Sequence, residues 1–396
     1  MRFLKSISPQ DLKCTAVYYV SFIALGLSSA AVGPTLPALA EQTGVQLKDV
    51  SSLFITMSVG YLLGTQISGR LYDRMSGHRV MAAGLLIMAV FLALVPLANR
   101  LWLLTLLLFF VGAGQSFIDV GANALIVWLH GQNVSMFMNG LHLFFGVGTF
   151  LTPLIVAASL QLSGGIAWSY IALAVLALPA IAGLLRLDSP HAPKAVLEKK
   201  PLGQQEIPLL LAIMLFFFLA VGYEGGFGGW IYTYALKTGL AGEISAAYLT
   251  STFWGAFTLG RLLGFPAAGR FKSRTILAAD LGGSLASLAV ILAFPGSPVA
   301  LWIGTAGLGL SVASIFPGML TFASSRMALS GRTTSLIFAA VSLSGIFFPW
   351  YIGQSIDTAG PRSIMLIFLV TAGAALAVFV GISAASRRTI RKAESR

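Results

Sequence analysis

The sequence predicts an all-α membrane protein with twelve transmembrane helices in two pseudo-symmetric six-helix bundles. Three observations carry that expectation. Charged residues make up only 10% of the 396 residues and the mean hydropathy is +0.87, too little charge to cover a water-exposed surface. Apolar runs follow one another, most of them longer than the roughly 20 residues a helix needs to cross a bilayer. Segments of the first half also return in the second. Leu62-Leu63-Gly64 and Gly69-Arg70-Leu71 recur as Leu262-Leu263-Gly264 and Gly269-Arg270-Phe271, Gly112/Gly114 echo in Gly307/Gly309, and Gly148 with Pro153 echoes in Gly345 with Pro349.

In order, the expected spans are 14–39, 50–70, 79–98, 101–128, 136–161, 165–186, 208–236, 245–269, 274–294, 298–325, 333–356 and 362–384. Their lengths imply tilt, and the 43 glycines suit helices that approach closely. Residues 187–207 carry Pro190, Pro193, Pro201 and mixed charge, and read as a linker. It joins an N-terminal bundle, 1–186, to a C-terminal bundle, 208–396, that ends in a basic tail. The polar stretch Met1–Lys13 and the long first run argue against a cleaved signal. Cys14 is the single cysteine. It excludes a disulfide framework and a cysteine-rich metal site, and reads as a structural thiol.

The net charge of +12 is arranged by topology. With a cytoplasmic N-terminus, Lys48, Arg100, Lys237 and Arg362 fall outside and Arg261 falls inside a span. Every other Lys and Arg falls on the cytoplasmic side. That is the positive-inside bias of an inserted protein, so nucleic acid is not an expected partner. The expectation is a multi-pass protein of the inner (plasma) membrane, monomeric, with both termini cytoplasmic.

Ionisable residues within the spans carry the chemistry, because each costs at least about 2.5–3.5 kcal/mol at the centre of a bilayer. In the fourth span Gln115, Asp119 and Asn123 recur every four residues and share a helix face. The competing role for Asp119 is simply to bond two helices together. His142, early in the fifth span, lies at a depth similar to that of Asp119 if each residue rises about 1.5 Å; it too has an interhelical alternative. Glu224 in the seventh span is flanked by Gly222, Gly225, Gly226 and Gly228, as expected where a transporter helix breaks. Arg261 in the eighth span is its natural partner, as a static bridge or a functional pair. Asp280, nearer the cytoplasmic end of the ninth span, is expected to be solvated at the interface. Trp230 and Trp254 offer flat faces with polar edges suited to a sugar. Trp128 and Trp350 read as interface anchors, and His78, His130 and His191 as surface residues.

The turn after the second span reads Gly69-Arg-Leu-Tyr-Asp73-Arg74-Met-Ser-Gly77-His78-Arg79. It resembles the cytoplasmic motif of the major facilitator superfamily, in which Asp73 would cap a helix end and pair with basic residues to latch one conformation. The second copy, Gly269-Arg270-Phe-Lys272-Ser-Arg274, lacks the acid. Together with Asp119-Val-Gly-Ala-Asn123, Gly140-Leu-His142, Glu224 with Trp230, and Phe253-Trp254 with Gly260-Arg261-Leu262, this motif resembles the fucose–proton symporter family and its sodium-dependent glucose transporter branch.

The resemblance implies a secondary transporter of the major facilitator fold, moving a sugar or similar polar solute between its two halves by alternating access. It uses no cofactor beyond a coupling H+ or Na+. Fucose-type symporters have an acid in the first span, whereas Ala24–Ala40 has none. Asp119 is therefore the expected coupling residue, with His142 and Glu224 as further cation-coupling candidates. Gln115, Asn123, Glu224, Trp230 and Trp254 are the substrate-binding candidates. A proton-coupled exporter of lipophilic compounds is the alternative. No nucleophile–base pair, phosphate loop or metal cluster points to an enzyme.

Overall fold

The computed structural model describes residues 8–131, 134–190, 207–327 and 331–394, and among them every regular element is helical. In order they are α1 (Pro9–Ser29), α2 (Val32–Thr43), α3 (Leu47–Val50), α4 (Ser52–Tyr72), α5 (Gly77–Leu94) and, after a 3-10 turn, α6 (Leu101–His130). Next come α7 (Val134–Ser163), α8 (Ala167–Leu176), α9 (Leu178–Arg186), α10 (Ile207–Lys237) and α11 (Glu243–Arg270). The last are α12 (Ser273–Ala293), α13 (Pro298–Val312), α14 (Ile315–Ser324), α15 (Gly331–Ala359) and α16 (Arg362–Glu394).

Among the described residues eleven stretches are long and apolar enough to cross a membrane. The expected span 245–269 is not among them. It is the 28-residue helix α11, long enough to cross but diluted by Ser, Thr, Gly and the embedded Arg261. Leu97, Trp102, Trp168 and Val370 are exposed, as lipid-facing side chains must be.

Local chemistry explains starts and breaks. Ser8 accepts from the Asp11 amide at 3.0 Å with Pro9 in the first turn of α1, and Ser297 accepts from the Ala300 amide at 3.2 Å with Pro298 in the first turn of α13. Both are N-caps that satisfy an otherwise orphaned donor. Proline clashes with the carbonyl four residues earlier and lacks an N–H. Pro34 thus breaks the expected first span at Ala30–Ala31, and Pro317 breaks the expected tenth at Ala313–Ser314. Most of the expected linker lies outside the described residues.

The chain divides into two compact units. The first is Met1–Val196 with Glu243–Ser251, and the second is Leu197–Gly242 with Thr252–Arg396. In the first, α1 crosses α7 backbone to backbone. A Cβ on Gly26 would stand 2.2 Å from the Phe145 carbonyl oxygen, and one on Gly148 2.2 Å from that of Ile23. In the same way α4 crosses α6, with Gly60 against the Phe109 carbonyl and Gly112 against that of Met57, each at 2.0 Å. The second unit repeats this last crossing between α11 and α13, where a Cβ on Gly260 would stand 2.8 Å from the Leu310 carbonyl oxygen and one on Gly309 2.4 Å from that of Phe253. The internal repeat is thus physical: the same helix pair meets through small residues in both units.

Candidate functional site

In the first unit, α6 presents Gln115, Asp119 and Asn123 along one side. The Asn123 amide donates to Asp119 Oδ1 at 2.8 Å and to the Asp119 carbonyl at 2.9 Å, the geometry that a spacing of four allows. Tyr61 of α4 donates its hydroxyl to Asp119 Oδ2. The carboxylate is thus held by two neutral donors. Gln115 reaches the other way, donating to Ser28 of α1 at 2.8 Å. His142 packs edge-on against Phe22 of α1, ring centroids 5.8 Å apart, which gives its ring a packing role on α1. Tyr61 and Ser28 were invisible to sequence reasoning, because only the fold brings α1 and α4 against α6.

The motif turn joins α4 to α5. Asp73 ends α4 at its C-cap, its amide bonded to the Gly69 carbonyl, and its side chain is exposed, as are those of Arg74 and Arg79. Among the described residues its carboxylate makes no hydrogen bond or ion pair, so the expected side-chain cap is absent. A C-cap carries the negative end of the helix dipole and is the wrong end for a carboxylate. Gly77 sits against Leu125, where a Cβ would come within 2.5 Å of Cδ2.

His78 corrects the sequence reading, since it is only 2% exposed. Its Nδ1–H donates to the Leu187 carbonyl at 2.9 Å, leaving Nε2 to accept from Tyr18, whose hydroxyl is 2.7 Å away. The beginning of the linker is thereby tied to α1 and α5. His130 is likewise engaged, 2.7 Å from the Thr15 hydroxyl and stacked on Phe137.

In the second unit, α10 is an unbroken helix through its glycines, contrary to the expected break. The glycines receive aromatic rings instead: Gly222 meets Phe348, Gly226 meets Phe368 and Gly228 meets Trp254. Packing a ring over a helical glycine leaves the backbone ladder intact. Glu224 and Arg261 act on each other electrostatically, and the guanidinium lies over the Phe257 ring at 4.4 Å.

The two tryptophans part company. Trp230 has 0% exposure and donates its indole N–H to the Pro349 carbonyl at 3.1 Å. It clamps α15 onto α10, a packed position rather than an exposed one. Trp254 is partly exposed, and its indole nitrogen is buried without a hydrogen-bond partner. Asp280 also departs from expectation, because its Oδ2 is a buried atom without a partner rather than a solvated one. Among the described residues no group of three or more His, Cys, Asp or Glu forms a metal-binding cluster.

Long apolar helices in two units, each with ionisable side chains inside, define a polytopic membrane protein built to handle polar cargo or ions. The Major Facilitator Superfamily model matches residues 18–349, and the chain belongs to that superfamily. It is 29% identical to the mouse protein named sodium-dependent glucose transporter 1A, over 85% of this chain and 88% of that one. With the human major facilitator superfamily domain-containing protein 4A it shares 24% identity over 90% and 89%. A crystal structure of a point mutant of the nucleoside transporter NupG superposes with a TM-score of 0.73 at 15% identity, covering 95% of this chain and 99% of that chain. The fold is that of the superfamily.

Proposed function

We propose that the protein is a secondary active transporter that moves a sugar or similar polar solute by alternating access, driven by H+ or Na+. The observation that carries this reading is the embedded Asp119, held by the neutral donors Tyr61 and Asn123. A carboxylate with no need of a fixed counter-ion can exchange a cation during a cycle. Relatives named for sodium-dependent glucose transport support the solute and ion class.

In this reading Asp119 carries the coupling cation. Gln115, Asn123, Glu224 and Trp254 are the residues proposed to meet the solute. The unpartnered indole N–H of Trp254 suits a hydroxyl acceptor, while its ring faces the apolar side of a sugar. Arg261 supports the charge of Glu224, and His142 stays a cation-coupling candidate. The charge distribution supports a plasma (inner) membrane location with both termini cytoplasmic.

The test is uptake of labelled hexoses into proteoliposomes under sodium and proton gradients imposed separately. Accumulation under one gradient, lost in Asp119→Asn, is the expected result. Absence of hexose uptake under either gradient would overturn the sugar assignment, and undiminished accumulation in Asp119→Asn would overturn the coupling role.

A further inference from the structure

Asp280 sits in the third turn of α12, deep enough that Oδ2 is buried and has no partner. The group that reaches its carboxyl is Ser314, the residue at the break that Pro317 forces between α13 and α14. Ser314 occupies the N-cap position of α14, yet its side chain makes no capping bond. Ser8 and Ser297 both cap their helices. The hydroxyl of Ser314, which caps nothing, lies near the Asp280 carboxyl of another helix.

Among the described residues no basic side chain acts on this carboxylate. The helices packed on α12 are α13, α14 and α16. Neither α13 nor α14 contains an ionisable residue, and α16 has none between Arg362 and Arg387. From α10, the phenol of Tyr223 donates to Ser284 at 3.4 Å, and Ser284 donates to the Asp280 carbonyl at 2.8 Å. Tyr223 lies within electrostatic reach of both Asp280 and Glu224, so the described ionisable groups around this site are one phenol, beyond it the Glu224–Arg261 pair, and Arg274 in the first turn of α12 itself. Hard cations require several oxygen ligands. The hydroxyls of Ser284 and Ser311 already donate to backbone carbonyls, and one serine beside one carboxyl is a poor cation cage. A proton asks for a single oxygen and removes the charge outright.

We propose that Asp280, with the Ser314 hydroxyl near it, is a proton-binding site in the second unit, separate from Asp119. The proton adds to Oδ2, forming an O–H bond and a neutral carboxylic acid. Deprotonation returns the proton to water. The consequence, a second protonatable site in the cycle, rests on the transport reading; proton binding itself does not.

Infrared difference spectra of the full-length protein in lipid vesicles, titrated in sodium-free buffer without solute, read the site directly. A protonated-carboxyl band that disappears with rising pH in the wild type and in Asp119→Asn, and is missing from Asp280→Asn, is the expected result. The same band in Asp280→Asn overturns the proposal, as does its removal by added sodium at constant pH. If Asp280→Asn does not fold, Ser314→Ala serves instead. Loss of the neighbouring hydroxyl shifts the midpoint of the band, and an unchanged midpoint overturns the proposal. Absence of hexose uptake in the transport assay leaves this result standing, so the two readings fail independently.

Discussion

The first unit satisfies its buried polar groups and brings its helices together backbone on backbone, whereas the second leaves polar groups unsatisfied and spaces one equivalent crossing with aromatic rings. Thr233, Trp254, Arg261, Asp280, Thr305 and Ser383 each carry a buried side-chain polar atom without a hydrogen-bond partner, and all belong to the second unit. Among the described residues the first unit has none of these. The α1–α7 crossing through Gly26 and Gly148 has its sequence-order counterpart in α10–α15, where Gly222 meets the Phe348 ring and Trp230 bonds to Pro349. Unsatisfied buried polar groups cost about 1–3 kcal/mol each and persist where something is gained from them. Among the described residues, the contrast sets satisfied buried side chains around Asp119 against unbonded buried atoms, such as the Trp254 indole N–H, in the other unit.

The most damaging way to break this contrast is at the glycine crossings. Gly112→Leu would drive a side chain into the Met57 backbone, so little folded protein should be recovered after solubilisation and size-exclusion chromatography. Gly222→Ala meets a ring, which can rotate, and should yield folded protein with a lower apparent Tm, since overpacking typically costs about 1–3 kcal/mol. Equal yields from the two variants would remove the distinction between backbone and side-chain crossings.

Asp119→Asn should abolish cation-driven accumulation and leave the thermal stability close to that of the wild type, because an amide can still bond to Tyr61 and Asn123. Tyr61→Phe removes one of the two side-chain donors and should destabilise the protein by about 1–3 kcal/mol. Thermal melting of the two purified variants compares them directly.

The tryptophans sharpen the comparison at the smallest scale. Trp230→Phe loses a buried N–H···O=C bond, worth about 0.5–1.5 kcal/mol net, and should melt at a lower temperature with its solute affinity unchanged once folded. Trp254→Phe loses a donor that has no partner, so its melting temperature should hold while solute affinity falls. Paired melting curves and binding isotherms read the two effects. The reverse pattern would place Trp230 in the binding site.

Helix content, the repeat and the embedded Asp119, Glu224 and Arg261 were all legible in the chain. Periodicity, hydropathy and the rarity of charge in apolar runs are local properties. Asn123 bonding to Asp119 was legible for the same reason, since a spacing of four fixes the geometry within one helix. The glycines around Glu224 misled: a glycine-rich segment signals either a broken helix or a landing place for rings, and the choice depends on Phe348, Phe368 and Trp254, distant in sequence. His78 and Asp280 misled because position near a helix end says little about burial when the neighbouring elements, Leu187 for one and Ser314 for the other, come from elsewhere in the chain.

By itself, the amino-acid sequence determined that this protein crosses a membrane with helices in two related halves, because the cost of exposing backbone and charge to lipid leaves few other solutions. Only the tertiary structure decided which embedded groups are committed and which are available. Trp230 is held by Pro349 and Asp119 by Tyr61, while Trp254 retains an unbonded N–H and Asp280 an unbonded oxygen. Hydrogen bonding is short-ranged and directional, so whether a polar atom is satisfied is settled by contacts a few ångströms long between residues far apart in the chain.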